Sequence, residues 1–176
     1  MRLETERLIL RELVQDDFDD LFSILSDAET MRYYDAPFDS ARVKKWIKWN
    51  IENYKTFGFG LFAVILRENG SFIGDCGITM QIINGWIRPG IGYHIYKPFQ
   101  NRGYGAEAVR KCRDYIFEKT PFNAVYSYMS VNDADSARIA VKNGMRLLGT
   151  YADSAGKQLK AYAISRAVWQ ERKFGA

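Results

Sequence analysis

One stretch of this chain constrains its fold more than any other. A strand-like run breaks into a glycine-bearing turn and then a helix across Tyr96-Lys97-Pro98-Phe99-Gln100-Asn101-Arg102-Gly103-Tyr104-Gly105-Ala106-Glu107-Ala108. Glycines at 103 and 105 remove side chains from a turn whose successive N–H groups can converge on one anion. The helix that follows adds its unpaired donors and the positive end of its dipole. The segment reads as a pyrophosphate cradle. Lys97 and Arg102 are the only charges between 97 and 106, so nothing there repels a phosphate. A Gly-x-Gly before a helix also occurs at turns for backbone reasons alone, so the rest of the chain has to decide.

The spacing Gln100-x-x-Gly103-x-Gly105 resembles the coenzyme A signature, Gln/Arg-x-x-Gly-x-Gly/Ala, of the GCN5-related N-acetyltransferase (GNAT) superfamily. The resemblance extends to Gly92-Tyr93 before it, to Ser136 and Lys142-Asn143-Gly144-Met145 after it, and to Thr5-Glu6-Arg7-Leu8-Ile9-Leu10-Arg11 at the start. That opening resembles the ribosomal-protein alanine N-acetyltransferases (RimJ/RimL type). The resemblance spans nearly the whole chain. It implies an α/β (α+β) single domain over 1–176, with about seven strands in a mixed, mostly antiparallel sheet, one splayed parallel pair, and about four flanking helices.

With 176 residues, 47% of them hydrophobic and 15% aromatic, the chain suits one domain with a substantial core. It has no low-complexity tract, no repeat, and no apolar run long enough for a bilayer. It opens on a charged strand without a signal peptide, so a cytoplasmic protein away from membranes is expected. Cys76 and Cys112, far apart in sequence with no Cys-x-x-Cys or His partner, read as two buried thiols, neither a disulfide nor a metal site. The net charge of +4 comes from 25 basic and 21 acidic residues without a block of like charge. That is too mild for a nucleic-acid partner and suits a polyanionic small molecule. Nothing in the sequence decides between a monomer and a homodimer.

Residues 7–13 alternate as a strand, and Asp16 is expected to cap a helix carrying Phe18, Leu21, Phe22 and Leu25. A second helix begins near Ser40 with Val43, Trp46, Ile47, Ile51 and Tyr54 on one stripe. Residues 59–96 read as a three-strand meander, with Asn69-Gly70 and Asn84-Gly85 as two-residue hairpin turns. Helix 103–119 follows, then strand 124–131, a helix from about Asp133 closed by Gly144, and strands 146–153 and 158–167. Joining the strands on either side of helix 103–119 requires a crossover, which makes them parallel. In the family this chain resembles, that pair splays and admits the pantetheine arm of coenzyme A.

Acetyl transfer from a thioester to an amine needs a held donor, a polarised carbonyl, and removal of a proton from the incoming ammonium. Gln100, Asn101, Arg102, Gly103, Tyr104, Gly105 and Ala106 form the donor's cradle. The resemblance implies that backbone groups of Tyr93, His94 and Ile95 anchor pantetheine and polarise the carbonyl. Many relatives carry a glutamate where this chain has Gly90. The only histidine, His94, lies on the same strand, and a simple two-residue register across Asn84-Gly85 places Asp75 opposite it. A bulge in this strand would slide that pairing by one residue, and ordered water is an alternative proton acceptor. The family's Asn-x-x-Ser implies Ser136 near the sulfur. The Asn slot holds Asp133, with Asn132 one residue early as a pantetheine contact, and Asp133 or Asp135 as helix caps. Tyr33, Tyr34 and Asp35 are the expected acceptor contacts.

The expected activity is acetyl-CoA-dependent N-acetylation of a primary amine in a ternary complex, with no metal. The acceptor stays open among protein N-termini, antibiotic or polyamine amines, and free amino acids. Gly90 and the displaced Asn keep a non-catalytic acyl-CoA-binding module as the alternative.

Overall fold

The computed structural model describes residues 1–175. The chain runs β1 (Arg2–Glu4), β2 (Leu8–Glu12), α1 (Phe18–Leu25), α2 (Ser40–Phe57), β3 (Leu61–Leu66), β4 (Phe72–Ile83), β5 (Trp86–Ile95), α3 (Tyr104–Lys119), β6 (Ala124–Ser130), α4 (Ala134–Lys142), β7 (Arg146–Ala152), β8 (Gln158–Ser165) and α5 (Arg166–Phe174). One eight-stranded sheet has the order β1-β2-β3-β4-β5-β6-β8-β7. Every pairing is antiparallel except β5–β6. The expected mixed sheet with one parallel pair is therefore present, extended by β1 at one edge and by α5 after the last strand.

The sheet is covered on both faces, and β3 shows why its sequence, Leu-Phe-Ala-Val-Ile-Leu, has no polar alternation. Phe62, Val64 and Leu66 face a core shared with Val109, Cys112, Ile116 and Phe117 of α3, whereas Ala63 and Ile65 face Leu21, Leu25, Val43 and Ile47 of α1 and α2. The two cysteines meet in the α3 core as free, buried thiols with their sulfurs 3.8 Å apart. Burial pushes the Cys76 thiol up.

Three local expectations are corrected. Asp16 does not cap α1: a 3-10 turn over Gln15–Asp17 precedes the helix, and buried Asp17 faces backwards, accepting from Val14 N–H at 2.8 Å and from Arg11 at 2.6 and 2.7 Å. The Asn69-Gly70 turn is a longer loop closed by Leu66 N–H to the Ser71 carbonyl, and of its pair only Gly70 has a positive φ. Residues 166 and 167 open α5 and do not extend β8, because Ser165 accepts from Val168 N–H and starts a helix. Trp169 then seats that helix by donating to Asp114 at 2.8 Å and packing on Phe117.

The second hairpin matters most. Asn84 and Gly85, with φ of 49° and 77°, give the turn whose twist matches its strands. The β4–β5 register runs without a slip from Ile83 opposite Trp86 to Gly74 opposite Ile95, so Asp75 lies opposite His94. The irregularity in this part of the sheet falls between β3 and β4 at Val64/Ile65.

Candidate active site

The cradle is shaped by backbone first. After β5, a 3-10 turn over Lys97–Phe99 leads to Gln100, whose amide donates to the Ile95 carbonyl at 2.8 Å and accepts from Arg32 at 3.1 Å. Gln100 thus locks the turn as well as lining the cavity. Asn101 and Gly103 both take positive φ, 61° and 85°. Such alternation turns neighbouring N–H groups to one side, and the first turn of α3 adds donors that no helix carbonyl can reach. Asn101, Gly103, Tyr104, Gly105 and Ala106 line the cavity. Arg102 does not; its guanidinium lies over the Phe99 ring at 5.8 Å.

The opening Thr5-Glu6-Arg7 segment braces this loop from below. Glu107, in the first turn of α3, accepts from the Thr5 hydroxyl at 2.6 Å, from Arg7 N–H at 3.0 Å and from the Arg7 guanidinium at 2.6 and 2.7 Å. Arg7 also donates to the Arg102 carbonyl at 3.1 Å and covers the Tyr104 ring. The acid in the first turn of α3 is thereby paired with a cation. Burial pushes the Glu107 carboxyl up, but Thr5 and Arg7 outweigh it and leave it below the ordinary glutamate value. The stability it contributes is therefore complete above that ordinary value and is lost as pH falls through the depressed one. Glu107 is buried but its partner Arg7 is partly exposed, so Glu107→Gln is expected to cost ~1–2 kcal/mol at neutral pH. The gap from wild type should close below about pH 4.5 in pH-dependent chemical denaturation.

Beyond the cradle, β5 and β6 pair only at Gly90 opposite Tyr126 and then diverge. A cavity of about 550 Å³ opens along the divergence, lined by Tyr93, His94 and Ile95 on one side and Ser127, Met129 and Ser130 on the other. At Gly90 the space for a side chain is already filled from β4: a Cβ there would stand 3.1 Å from Gln81 Cγ. Gln81 donates to Thr79 at 2.6 Å and accepts from Tyr128 at 3.2 Å. Gln81, held by two hydroxyls, thus stands beside Gly90.

Asp75 and His94 meet. His94 Nδ1 is 2.6 Å from Asp75 Oδ1, which also accepts His94 N–H at 3.2 Å. The other carboxylate oxygen accepts from Trp46 Nε1–H at 2.9 Å. Asp75 is fully buried, so these partners fix both its oxygens and hold the imidazole by Nδ1, leaving Nε2 as the ring nitrogen turned away from Asp75. Nε2 is 2.8 Å from the Tyr34 hydroxyl.

Ser136 lines the same cavity from the first turn of α4. Asp133 caps that helix by accepting Ser136 N–H at 2.9 Å, and Tyr93 donates its hydroxyl to Ser136 Oγ at 2.9 Å. Burial pushes the Tyr93 phenol well up, so it keeps its proton. Ser136 accepts from Tyr93 and is free to donate its own hydrogen into the cavity. Asn132 is not brought into the site: it is exposed and does not line the cavity, because the turn before α4 hands the inward position to Asp133.

Of the expected acceptor contacts, Tyr33, Tyr34 and Asp35 all line the cavity mouth. Asp35 is not an unpaired anion there, since Lys157 binds it at 2.7 Å and holds it below the ordinary carboxylate range. Lys157 also donates to the Tyr33 carbonyl at 3.2 Å. Sequence reasoning left Lys157 in a connecting turn, Trp46 on a buried stripe and Gln81 unremarked. No local signal in the sequence placed Trp46 against Asp75, since the contact runs from α2 to β4. Among the described residues no group of three or more His, Cys, Asp or Glu is arranged to hold a metal ion, and no helix is long and apolar enough to cross a membrane.

The sequence model of the acetyltransferase (GNAT) domain matches residues 7–146. The chain is 33% identical over 164 residues to the protein YkkB of Bacillus subtilis (strain 168), covering 93% of each. Its fold superposes with a TM-score of 0.81 and 27% identity on an acetyltransferase from Agrobacterium tumefaciens str. C58, covering 93% of this chain and 94% of that one. It also superposes with a TM-score of 0.78 on RimL, a ribosomal L7/L12 alpha-N-protein acetyltransferase solved with coenzyme A, covering 94% and 98% of the two chains. At 16% identity that last likeness speaks for the fold alone.

Proposed function

The chain belongs to the GNAT acetyltransferase family, whose members transfer an acetyl group from acetyl-CoA, and from that premise we propose that it acetylates a primary amine by direct attack in a ternary complex. The observation that carries this reading is the pair of polar groups lining one cavity: the His94–Asp75 dyad with Tyr34, and Ser136 with Tyr93. Acyl transfer to an amine needs a proton acceptor where the amine enters and a proton donor where the thiolate leaves.

In this reading the N–H groups of 101–106 hold the pyrophosphate and the edge of β5 at 93–95 holds the pantetheine arm. His94 receives the ammonium proton, and the freed amine attacks the acetyl carbon. As the carbon–sulfur bond breaks, Ser136 donates to the departing sulfur while its oxygen keeps the hydrogen bond from Tyr93. Tyr33 and Tyr34 offer ring faces to a cationic amine at the mouth. A protein N-terminus and a small-molecule amine both meet these requirements.

Thiol release from acetyl-CoA, followed with a panel of polyamines, amino acids and Ala- or Ser-starting peptides, tests the reading. Acceptor-dependent release with recovery of the N-acetylated product supports it; release that no amine stimulates rejects it. Within that assay Ser136→Ala is expected to lower turnover while leaving acetyl-CoA affinity nearly intact, because its hydrogen bond strengthens only as charge develops on sulfur. Equal turnover with weakened binding would make Ser136 a pantetheine contact.

A further inference from the structure

His94 and Tyr34 share one wall of the cavity and meet there through His94 Nε2. His94 is only 6% exposed, and both of its ring nitrogens are engaged, Nδ1 by Asp75 and Nε2 by Tyr34. Its ring is boxed by Tyr34, Phe38 and Trp46, with centroids 5.2, 6.4 and 6.0 Å away. Tyr34, in contrast, is 44% exposed and lines the cavity mouth. Its hydroxyl is the group that meets His94 Nε2, at the cavity both residues line.

We infer that Tyr34 takes the proton from the acceptor ammonium and passes its own to His94 Nε2, so that Tyr34, His94 and Asp75 work as one relay. The inference rests on the reading of His94 as the base. In the step, one N–H bond of the ammonium breaks and its proton forms an O–H bond at Tyr34. The original Tyr34 O–H bond breaks and that proton forms an N–H bond at Nε2. The amine keeps its electron pair for the acetyl carbon, the imidazole becomes an imidazolium against the Asp75 carboxylate, and Tyr34 is a neutral phenol before and after. After transfer His94 returns the proton to solvent by the same path.

Two features support a concerted hand-over. Burial of the hydroxyl, and next the Asp75 charge, push the Tyr34 phenol well up, so a free tyrosinate is disfavoured and Tyr34 must give one proton as it accepts another. The loop carrying Tyr34 is also pinned from both sides of the cavity. Arg32 donates to Asp135 at 2.8 Å and to Gln100 at 3.1 Å, and Lys157 holds Tyr33 and Asp35. The phenol is thereby positioned before any acceptor arrives.

The test is Tyr34→Phe, which keeps the ring against Phe38 and His94 and removes one oxygen. With acetyl-CoA and the fastest acceptor of the panel, kcat should fall by ~10²-fold or more while acetyl-CoA affinity is kept. In mixed H₂O and D₂O the wild-type rate should curve with deuterium content, as two moving protons require, and the variant's should not. The single histidine gives an independent reading without acceptor: its ring ¹⁵N signals should report a proton on Nδ1 in the neutral form, and Tyr34→Phe should shift Nε2 alone. Near-normal kcat in Tyr34→Phe with a crippled His94→Gln overturns the relay and leaves His94 the base. Near-normal kcat in both removes the base as well. A loss confined to KM, or an Nε2 signal indifferent to the substitution, makes Tyr34 only a wall of the pocket and overturns the relay.

Discussion

His94→Gln should turn over at least ~100-fold more slowly than wild type, with acetyl-CoA affinity almost unchanged, since a positioned general base typically contributes ~10²–10⁴-fold. The substitution keeps a polar side chain of similar reach between Asp75 and Tyr34 but removes the nitrogen that stores a proton. It is a cleaner probe than changing Asp75, which is fully buried and accepts from His94 Nδ1, His94 N–H and Trp46 Nε1. Asp75→Asn would leave buried donors facing an amide and would lower stability along with activity. Steady-state thiol release, compared with calorimetric binding of acetyl-CoA, separates the two effects. A His94→Gln variant with near-normal turnover would assign proton removal to water or to the acceptor's own equilibrium.

Gly103→Val should weaken coenzyme A binding by ~1–3 kcal/mol, about 5- to 150-fold in Kd. Gly103 is the residue from which α3 starts, and its φ of 85° is one that valine resists. Any Cβ there would also stand 3.3 Å from an Arg7 nitrogen, in the contact that braces the loop on Glu107. The turn would relax toward negative φ and its N–H groups would cease to converge. Calorimetry on a variant shown by circular dichroism to be folded decides it, and unchanged affinity would move the pyrophosphate elsewhere.

How much of this was legible in the sequence depends on the range of the interaction. The Asn84-Gly85 turn sets the β4–β5 pairing through local backbone preference, so Asp75 opposite His94 follows from residues nearby in the chain. The cradle is local for the same reason: its shape comes from Asn101 and Gly103 φ values and the start of one helix. The partners that complete the site come from afar. Trp46 reaches Asp75 from α2, Tyr34 reaches His94 from the loop before it, and Lys157 reaches Asp35 across the mouth. No spacing rule encodes those meetings, because they depend on how α1 and α2 seat on the sheet. Asp16 and Asn132 failed as expectations for a related reason. In each case the adjacent acid, Asp17 or Asp133, was turned inward by a tight turn, and a shift of one residue decides which side chain points where.

The most direct test of the account is a crystal structure of the protein with coenzyme A and an amine acceptor. It should place the pyrophosphate on the N–H groups of 101–106, the pantetheine arm between β5 and β6, the sulfur within hydrogen-bonding distance of Ser136, and the acceptor nitrogen on the Tyr34 side. A coenzyme bound outside the β5–β6 divergence, or a sulfur on the opposite wall from Ser136, would contradict it.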